Sequence, residues 1–299
     1  MNLFPEIDII VPCYNVENVV EKCIKSLLNL NYNKYNIFLV NDGSTDKTNH
    51  ILEKYNHFNQ IKIINHNKNK GLSAARNSGI KLSKSDIVCF LDSDMEVKSN
   101  WLDYFIKIIS NKDIIGVVGD TKLPEDYKAN KLDMYLYDKR RGARQFGENQ
   151  IISFQYFLFN NSCIKRKSLE RIGLFNENIT SYGGEDTELA IRLWEKYPKG
   201  LRFSSKAIAN HCHQRELEDF LISMHNYGFN NLPYLIKIHK KHTKELAWNY
   251  TSSFRGYLIF NDHIKYIIKK LNNYFNNYWL IRYLVISAVI NGARSKINN

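Results

Sequence analysis

Four short β-rich runs alternate with three stretches of helical spacing over the first ninety residues, and this alternation leaves little choice of fold. The runs lie at residues 7–11, stopping at Pro12, then at 36–40, 61–64 and 87–91. Between the first two, Val16, Val19, Val20, Cys23, Ile24, Leu27 and Leu28 recur at helical intervals. A second helix is predicted to run to Tyr55, capped by Ser44 or Thr45, and a third over 71–82. Strands joined through helices pair in parallel by right-handed crossovers. Ligands of such sheets bind beyond the carboxyl ends of the strands. Asn15, Asp42, Arg76, Asp92 and Asp94 fall in or beside those ends.

Asp92-Ser93-Asp94 closes the fourth run. Residues two apart on a strand share a face, so both carboxylates can aim at one spot. Hard divalent cations take oxygen ligands and commonly sit between a carboxylate and a substrate phosphate. Short Asp-x-Asp strings also form solvated turns, so the neighbouring motifs decide the meaning.

Beyond residue 97 the pattern continues less regularly. Ser99 is a candidate cap for a helix bearing Trp101, Leu102, Phe105, Ile106 and Ile109. Residues 114–118, 151–159 and 201–209 read as strands and 185–196 as a helix. Residues 120–149 read as a polar loop whose Lys139, Arg140, Arg141 and Arg144 suit a flap over an anionic substrate. From 214 onward the spacing is helical. The 299 residues carry a net charge of +12. Of this, +7 lies in the last 89 residues, with twelve Lys and Arg against five Asp and Glu. Acidic small molecules, anionic lipid and nucleic acid are all admissible partners of such a chain. The five cysteines are scattered, with no Cys-x-x-Cys spacing, which suits buried thiols in a reducing compartment. The first residues show no secretory signal, and no run of eighteen apolar residues occurs, so the expected location is cytoplasmic, or peripheral on the cytoplasmic face of a membrane.

Six strings occur in one order: Ile10-Val11-Pro12-Cys13-Tyr14-Asn15, Val40-Asn41-Asp42-Gly43-Ser44-Thr45-Asp46, Asn69-Lys70-Gly71-Leu72-Ser73-Ala74-Ala75-Arg76-Asn77, Phe90-Leu91-Asp92-Ser93-Asp94, Ile172-Gly173-Leu174-Phe175-Asn176-Glu177 and Gly183-Gly184-Glu185-Asp186. Over residues 7–213 the chain thereby resembles the family 2 glycosyltransferases, an inverting group. The resemblance implies an α/β fold of GT-A type, with a Rossmann-like, mixed but mostly parallel sheet flanked by helices. Residues 1–213 would form the catalytic domain, with a nucleotide-binding half to about residue 95 and an acceptor-binding half from about 96, followed by a basic helical extension over 214–299.

It also implies roles. Pro12, Tyr14 and Asn15 would wall the nucleotide pocket, with Gly71, Arg76, Asp92 and Ser93 contributing to nucleotide-sugar binding. Asp42 would accept a hydrogen bond from uracil N3–H, a task suited to a group that only accepts. Asp94 would ligate Mn²⁺ or Mg²⁺ directly, with Asp92 near the ribose or a metal-bound water. Asp186 would be the general base and Glu185 a supporting carboxylate; both could otherwise be negative residues favoured at a helix start. His211 would be a further metal or phosphate contact, with His213 as its alternative. The implied reaction moves one sugar from a nucleotide-diphosphate donor, a UDP-sugar, to a hydroxyl of a glycan or lipid-linked saccharide.

Two rivals are weaker. A nucleotidyltransferase that makes the sugar nucleotide calls for a Gly-rich basic loop after the first strand, and Pro12-Cys13-Tyr14-Asn15-Val16-Glu17 is not one. A non-catalytic nucleic-acid binder calls for aromatics interleaved with Lys and Arg on a platform, and none is recognisable, so nucleic acid is not an expected partner. For the basic tail three readings stay open: a helical cap, a dimer face, or a surface for an anionic membrane beside Trp279 and Arg282.

Overall fold

The structure is a computed structural model that describes residues 5–297. Its strands are β1 (Ile7–Cys13), β2 (Tyr35–Asn41), β3 (Ile61–Asn65), β4 (Ile87–Leu91), β5 (Met95–Val97), β6 (Gly116–Lys122), β7 (Asn161–Lys165) and β8 (Leu201–His211). Its α-helices are α1 (Val20–Leu28), α2 (Thr48–Glu53), α3 (Leu72–Leu82), α4 (Trp101–Ile109), α5 (Lys131–Leu136), α6 (Arg166–Ile172), α7 (Glu185–Lys196), α8 (Leu217–Asn230), α9 (Leu232–Ile238), α10 (Asn249–Ser252), α11 (Phe254–Ile259), α12 (Asp262–Tyr274) and α13 (Tyr278–Ile297). Among the described residues two compact units form: one from 5–127, 139–180 and 185–213, the other from 128–138, 181–184 and 214–297.

The first unit holds one eight-stranded sheet in the order β3-β2-β1-β4-β7-β6-β8-β5. β3, β2, β1 and β4 run parallel, β7 is antiparallel to both β4 and β6, β6 and β8 are parallel, and β5 closes antiparallel on β8. Every residue of β1 and β4 is buried, as unbroken apolar runs covered on both faces require. β1 extends past Pro12 to Cys13, contrary to the expected stop. The last β1–β4 pair is Ile10 with Phe90, so the N–H that Pro12 lacks is not missed on that side. Asp8 is buried in β1 and accepts from Ser83 Oγ, the N–H groups of Lys84 and Ser85, and Asn36 Nδ2 at 2.6–3.0 Å.

Several expectations fail for local reasons. Ser44 does not cap α2, which starts after Lys47 without a side-chain cap; its hydroxyl accepts the Asn15 N–H instead. Ser99 does not cap α4, because its hydroxyl accepts from Asn31 and Asn100 occupies the cap position. Residues 151–159 form a bridge at Ile151 and a short 3₁₀ turn rather than a strand. The 120–149 stretch contains α5 and a 3₁₀ turn, and Arg144 is ion-paired to Asp120 at 2.7 Å. All five cysteines are free and buried.

The second unit is helical. α8 and α13 cross at glycines: a Cβ on Gly228 would lie 2.0 Å from the Val289 oxygen, and one on Gly292 2.1 Å from the His225 oxygen. Leu132 and Tyr135 of α5 pack with Phe220 of α8 and Tyr278, Ile281 and Val285 of α13. Arg294 is buried in α13 and donates to the carbonyls of Tyr250, Thr251 and Phe260, satisfying backbone oxygens that short helices leave unpaired. Among the described residues no helix is long and apolar enough to cross a membrane.

Candidate active site

The carboxyl ends of β1 and β2 are stitched together by side chains. Asn15, in the left-handed region at φ +50°, accepts from the Thr45 N–H at 2.8 Å, and the Val16 N–H donates to Thr48 Oγ1 at 2.8 Å. Tyr14 stands exposed next to it, and Pro12 is buried in the strand.

Asp42 follows β2 and is 3% exposed. Its carboxylate accepts from the backbone N–H groups of Lys70 and Gly71, both at 2.9 Å, and lies 2.6 Å from His66 Nδ1. His66 Nε2 is in turn 2.9 Å from Ser78 Oγ. Asp42 thus organises the loop that leads into α3. Gly43, at φ +70°, fits because a Cβ there would lie 2.4 Å from the Lys68 carbonyl carbon. Gly71 opens α3, and its N–H is one of those that Asp42 holds.

Arg76, on α3, is the hub. Its side chain is 1% exposed. Nη1 donates to Asp186 Oδ1 at 2.6 Å and Nη2 to Asp92 Oδ1 at 3.1 Å, while the guanidinium lies over the Phe175 ring at 5.2 Å. The second oxygen of Asp186 accepts the Phe159 N–H at 3.0 Å. One cation therefore joins the end of β4 to the start of α7, with a bridged, forked geometry that lysine could not reproduce.

The two carboxylates of Asp92-Ser93-Asp94 take different partners. Asp92 faces Arg76, whereas Asp94 Oδ2 lies 3.0 Å from His211 Nε2 at the end of β8. The β5–β8 pairing, which sets Met95 opposite His211, makes this meeting possible. Asp94 Oδ1 is buried and has no hydrogen-bond partner. Ser93 is buried between the two. His213 has its ring centroid 6.4 Å from that of His211.

Protonation follows these surroundings. Burial pushes Asp92 up to about 6 against the pull of Arg76, with Asp94 and Asp186 adding to the rise. Burial also opposes ionisation of Asp94, but the hydrogen bond and charge of His211 outweigh it, and its pKa falls below the usual carboxylate value. Glu185 is pushed up to about 7, by burial first and then by the neighbouring Asp186. Side by side, Glu185 and Asp186 occupy different environments: Asp186 is bound by Arg76 and Phe159, and Glu185 is desolvated. Such asymmetry is how adjacent carboxylates divide acid–base work.

The structure thus joins Arg76, Asp92 and Asp186 in one network and Asp94 with His211 in a second, while Asp42 and Gly71 form a third with His66. Sequence reasoning missed His66, Phe159 and Phe175. The only signal for His66 was its place in the polar run that follows β3; Phe159 acts through its backbone and had none.

The profile of the family described as Glycosyl transferase family 2 matches residues 8–170. The chain belongs to glycosyl transferase family 2. Family relatives include the uncharacterized glycosyltransferase EpsJ of Bacillus subtilis, 44% identical over 98 residues, which are 32% of this chain and 28% of that protein. The probable glycosyltransferase YdaM of Bacillus subtilis is 28% identical over 204 residues, 65% of this chain and 48% of that protein. Chondroitin synthase of Escherichia coli is 25% identical over 240 residues, 70% of this chain and 34% of that protein. The chain spans less than half the length of each of these relatives. Among solved structures, a mannosyltransferase from Pyrobaculum calidifontis in complex with GDP-Man and Mn²⁺ is similar at a TM-score of 0.64 and 15% identity, over 97% of this chain and 88% of that one. Residues 1–349 of S. aureus TarS are similar at 0.58 and 16%, over 98% and 90%. These likenesses show the GT-A fold of the family: a mixed sheet flanked by helices, with a helical C-terminal region.

Proposed function

We propose that this chain transfers a single sugar, with inversion, from a nucleotide-diphosphate donor to an acceptor hydroxyl. The observation that carries the reading is the buried Arg76, which ties Asp186 to Asp92 at the ligand edge of the sheet. We take the donor to be a UDP-sugar, with Asp42 on the base side, Pro12, Tyr14 and Asn15 walling the pocket, and Gly71, Arg76, Asp92 and Ser93 around the ribose and diphosphate. A TarS structure holding UDP-GlcNAc and the mannosyltransferase holding GDP-Man illustrate donors of this class in proteins of similar fold.

Asp186 is the base in this reading. It accepts the proton of the acceptor hydroxyl as that oxygen attacks the anomeric carbon, and the bond from that carbon to the diphosphate oxygen breaks. Arg76 and the Phe159 N–H orient it, and Glu185 supports it from the same helix start. The residues present fit a divalent cation, Mn²⁺ or Mg²⁺. Asp94 offers a buried oxygen without a hydrogen-bond partner and His211 stands beside it; with Asp92 these residues would hold the cation. Among the described residues no three His, Cys, Asp or Glu side chains form a ready metal cage. Such a partial set suits a cation whose remaining ligands are water and diphosphate oxygens. When bound, the cation neutralises charge developing on the departing diphosphate.

The acceptor is a glycan or lipid-linked saccharide, met in the cytoplasm or at the cytoplasmic face of a membrane. The reading is tested by nucleotide release from a panel of diphosphate sugars with Mn²⁺ present. One donor should turn over in the parent and not in Asp94→Ala. Release from no donor, or pyrophosphate formation from a nucleoside triphosphate and a sugar phosphate, would overturn it.

A further inference from the structure

The helical unit has an outward face that is apolar where a simple cap would be polar. On α12, Tyr266, Ile267, Lys270 and Tyr274 stand three and four residues apart and so share one side of the helix. All are exposed, Tyr274 by 84%. The opposite side, with Ile264, Ile268 and the buried Asn272, is already turned inward. A helix that is apolar on its covered side needs no aromatic residues on its wet side. The flanking segments repeat the feature: Phe275 follows α12 in the open, and α11 exposes Phe254 by 77% together with Leu258.

Charge indicates what covers this face. From residue 246 to the end the sequence has seven Lys and Arg, and Asp262 is its only acidic residue. Lys270 lies in the middle of the exposed stripe with Nζ 4.7 Å from the Tyr266 ring centre; Lys269, beside it in sequence, is ion-paired to Glu218 at 3.0 Å, and Lys265 is half-buried. A second copy of the chain is a poor occupant. A two-fold interface brings the same patch against itself, and here that would set Lys270 against its own copy, since Asp262 is the one acidic residue of the segment and Glu218 is already held by Lys269. Nucleic acid would leave Ile267, Leu258 and the Phe254 ring with little to bury against. A layer with anionic headgroups above acyl chains matches both features at once: tyrosines and lysines suit the headgroup level, and Ile267, Phe254 and Phe275 suit the acyl boundary.

We propose that α11, α12 and the segment following it form a docking surface for an anionic bilayer, holding the protein in the interface plane without crossing the membrane. This deepens the proposed use of a membrane-borne acceptor and rests on that reading for its purpose, although the surface itself stands on its own residues. The test is cosedimentation of the full chain with phosphatidylcholine vesicles, with and without phosphatidylglycerol. The parent should pellet with anionic vesicles at low salt and be released as salt rises. Lys265→Gln, Lys269→Gln and Lys270→Gln together should weaken binding by about fivefold per charge removed. Tyr266→Ser, Ile267→Ser and Tyr274→Ser together should abolish it while leaving donor turnover in vesicle-free solution unchanged. Vesicle binding reads this surface whether or not any donor turns over, so the two proposals fail separately. No binding of the parent to anionic vesicles at low salt would overturn the proposal. So would parent-like binding by the glutamine variant, or loss of a dimer, seen by sedimentation velocity, in the serine variant.

Discussion

Replacing Arg76 with methionine keeps its bulk and removes its charge. The structure then leaves two carboxylates, Asp92 and Asp186, without the cation that lies 3.1 and 2.6 Å from them. At about 3 Å and an effective dielectric constant of about 20, each pair has a gross attraction on the order of 5 kcal/mol. Most of that is offset by the cost of taking the ions out of water, so the sum is not the loss to expect. Removing one partner of a buried pair costs about 3–5 kcal/mol, because the remaining charge is uncompensated. With a urea slope of about 3 kcal/mol per M, the unfolding midpoint should fall by about 1–1.7 M. Adding Asp186→Asn to Arg76→Met removes one of the stranded charges, so the double variant should recover about 1–3 kcal/mol relative to additivity. Urea titrations of the four proteins, followed by circular dichroism, give the whole cycle. A loss below about 1 kcal/mol in Arg76→Met, or strict additivity in the double variant, would show that the network is not coupled as described.

Three further outcomes follow from the same geometry. Glu185 has its pKa raised to about 7, so the folded state binds its proton more tightly than the unfolded chain does; stability falls as pH rises from the ordinary Glu range through 7. Glu185→Gln should therefore leave stability unchanged near pH 4 and raise it by up to about 3 kcal/mol at pH 8, read from urea midpoints at the two values. Gly43→Ala should cost at least about 2 kcal/mol and weaken UDP binding, since it combines a positive φ with a Cβ 2.4 Å from the Lys68 carbonyl carbon; calorimetry with UDP checks the second part. Chelation of divalent cations should suppress donor turnover, and Mn²⁺ should restore it in the parent but not in Asp94→Ala, as followed by nucleotide release.

The sequence made the nucleotide-side strands readable because β1, β2 and β4 are continuous apolar runs. It hid β5, which is three residues long, and β7, whose first residues are Asn161 and Ser162. Asn161 reads as a loop residue. In the fold it is fully buried because its amide donates to the Asp120 and Ala207 carbonyls and its oxygen accepts from the Trp101 indole. These partners lie 41 to 60 positions away, beyond the reach of local pattern. The site shows the same division. Its residues fall at strand ends and a helix start, which the sequence marks plainly. Their pairing does not, since Arg76 and Asp186 are 110 positions apart and the Phe159 contact comes from a backbone N–H. Ser44 and Ser99 were plausible caps, yet each hydroxyl accepts from an asparagine of a neighbouring loop.

The central claim is that Asp186 takes the acceptor proton while the nucleotide is held by other residues. Asp186→Asn tests it most directly, because an amide oxygen can still accept from Arg76 but cannot serve as the base. With the fold verified by circular dichroism, sugar transfer should fall by about 10²–10⁴-fold while the dissociation constant for UDP stays within about twofold. Parent-like transfer, or loss of UDP binding in this variant, would contradict the account.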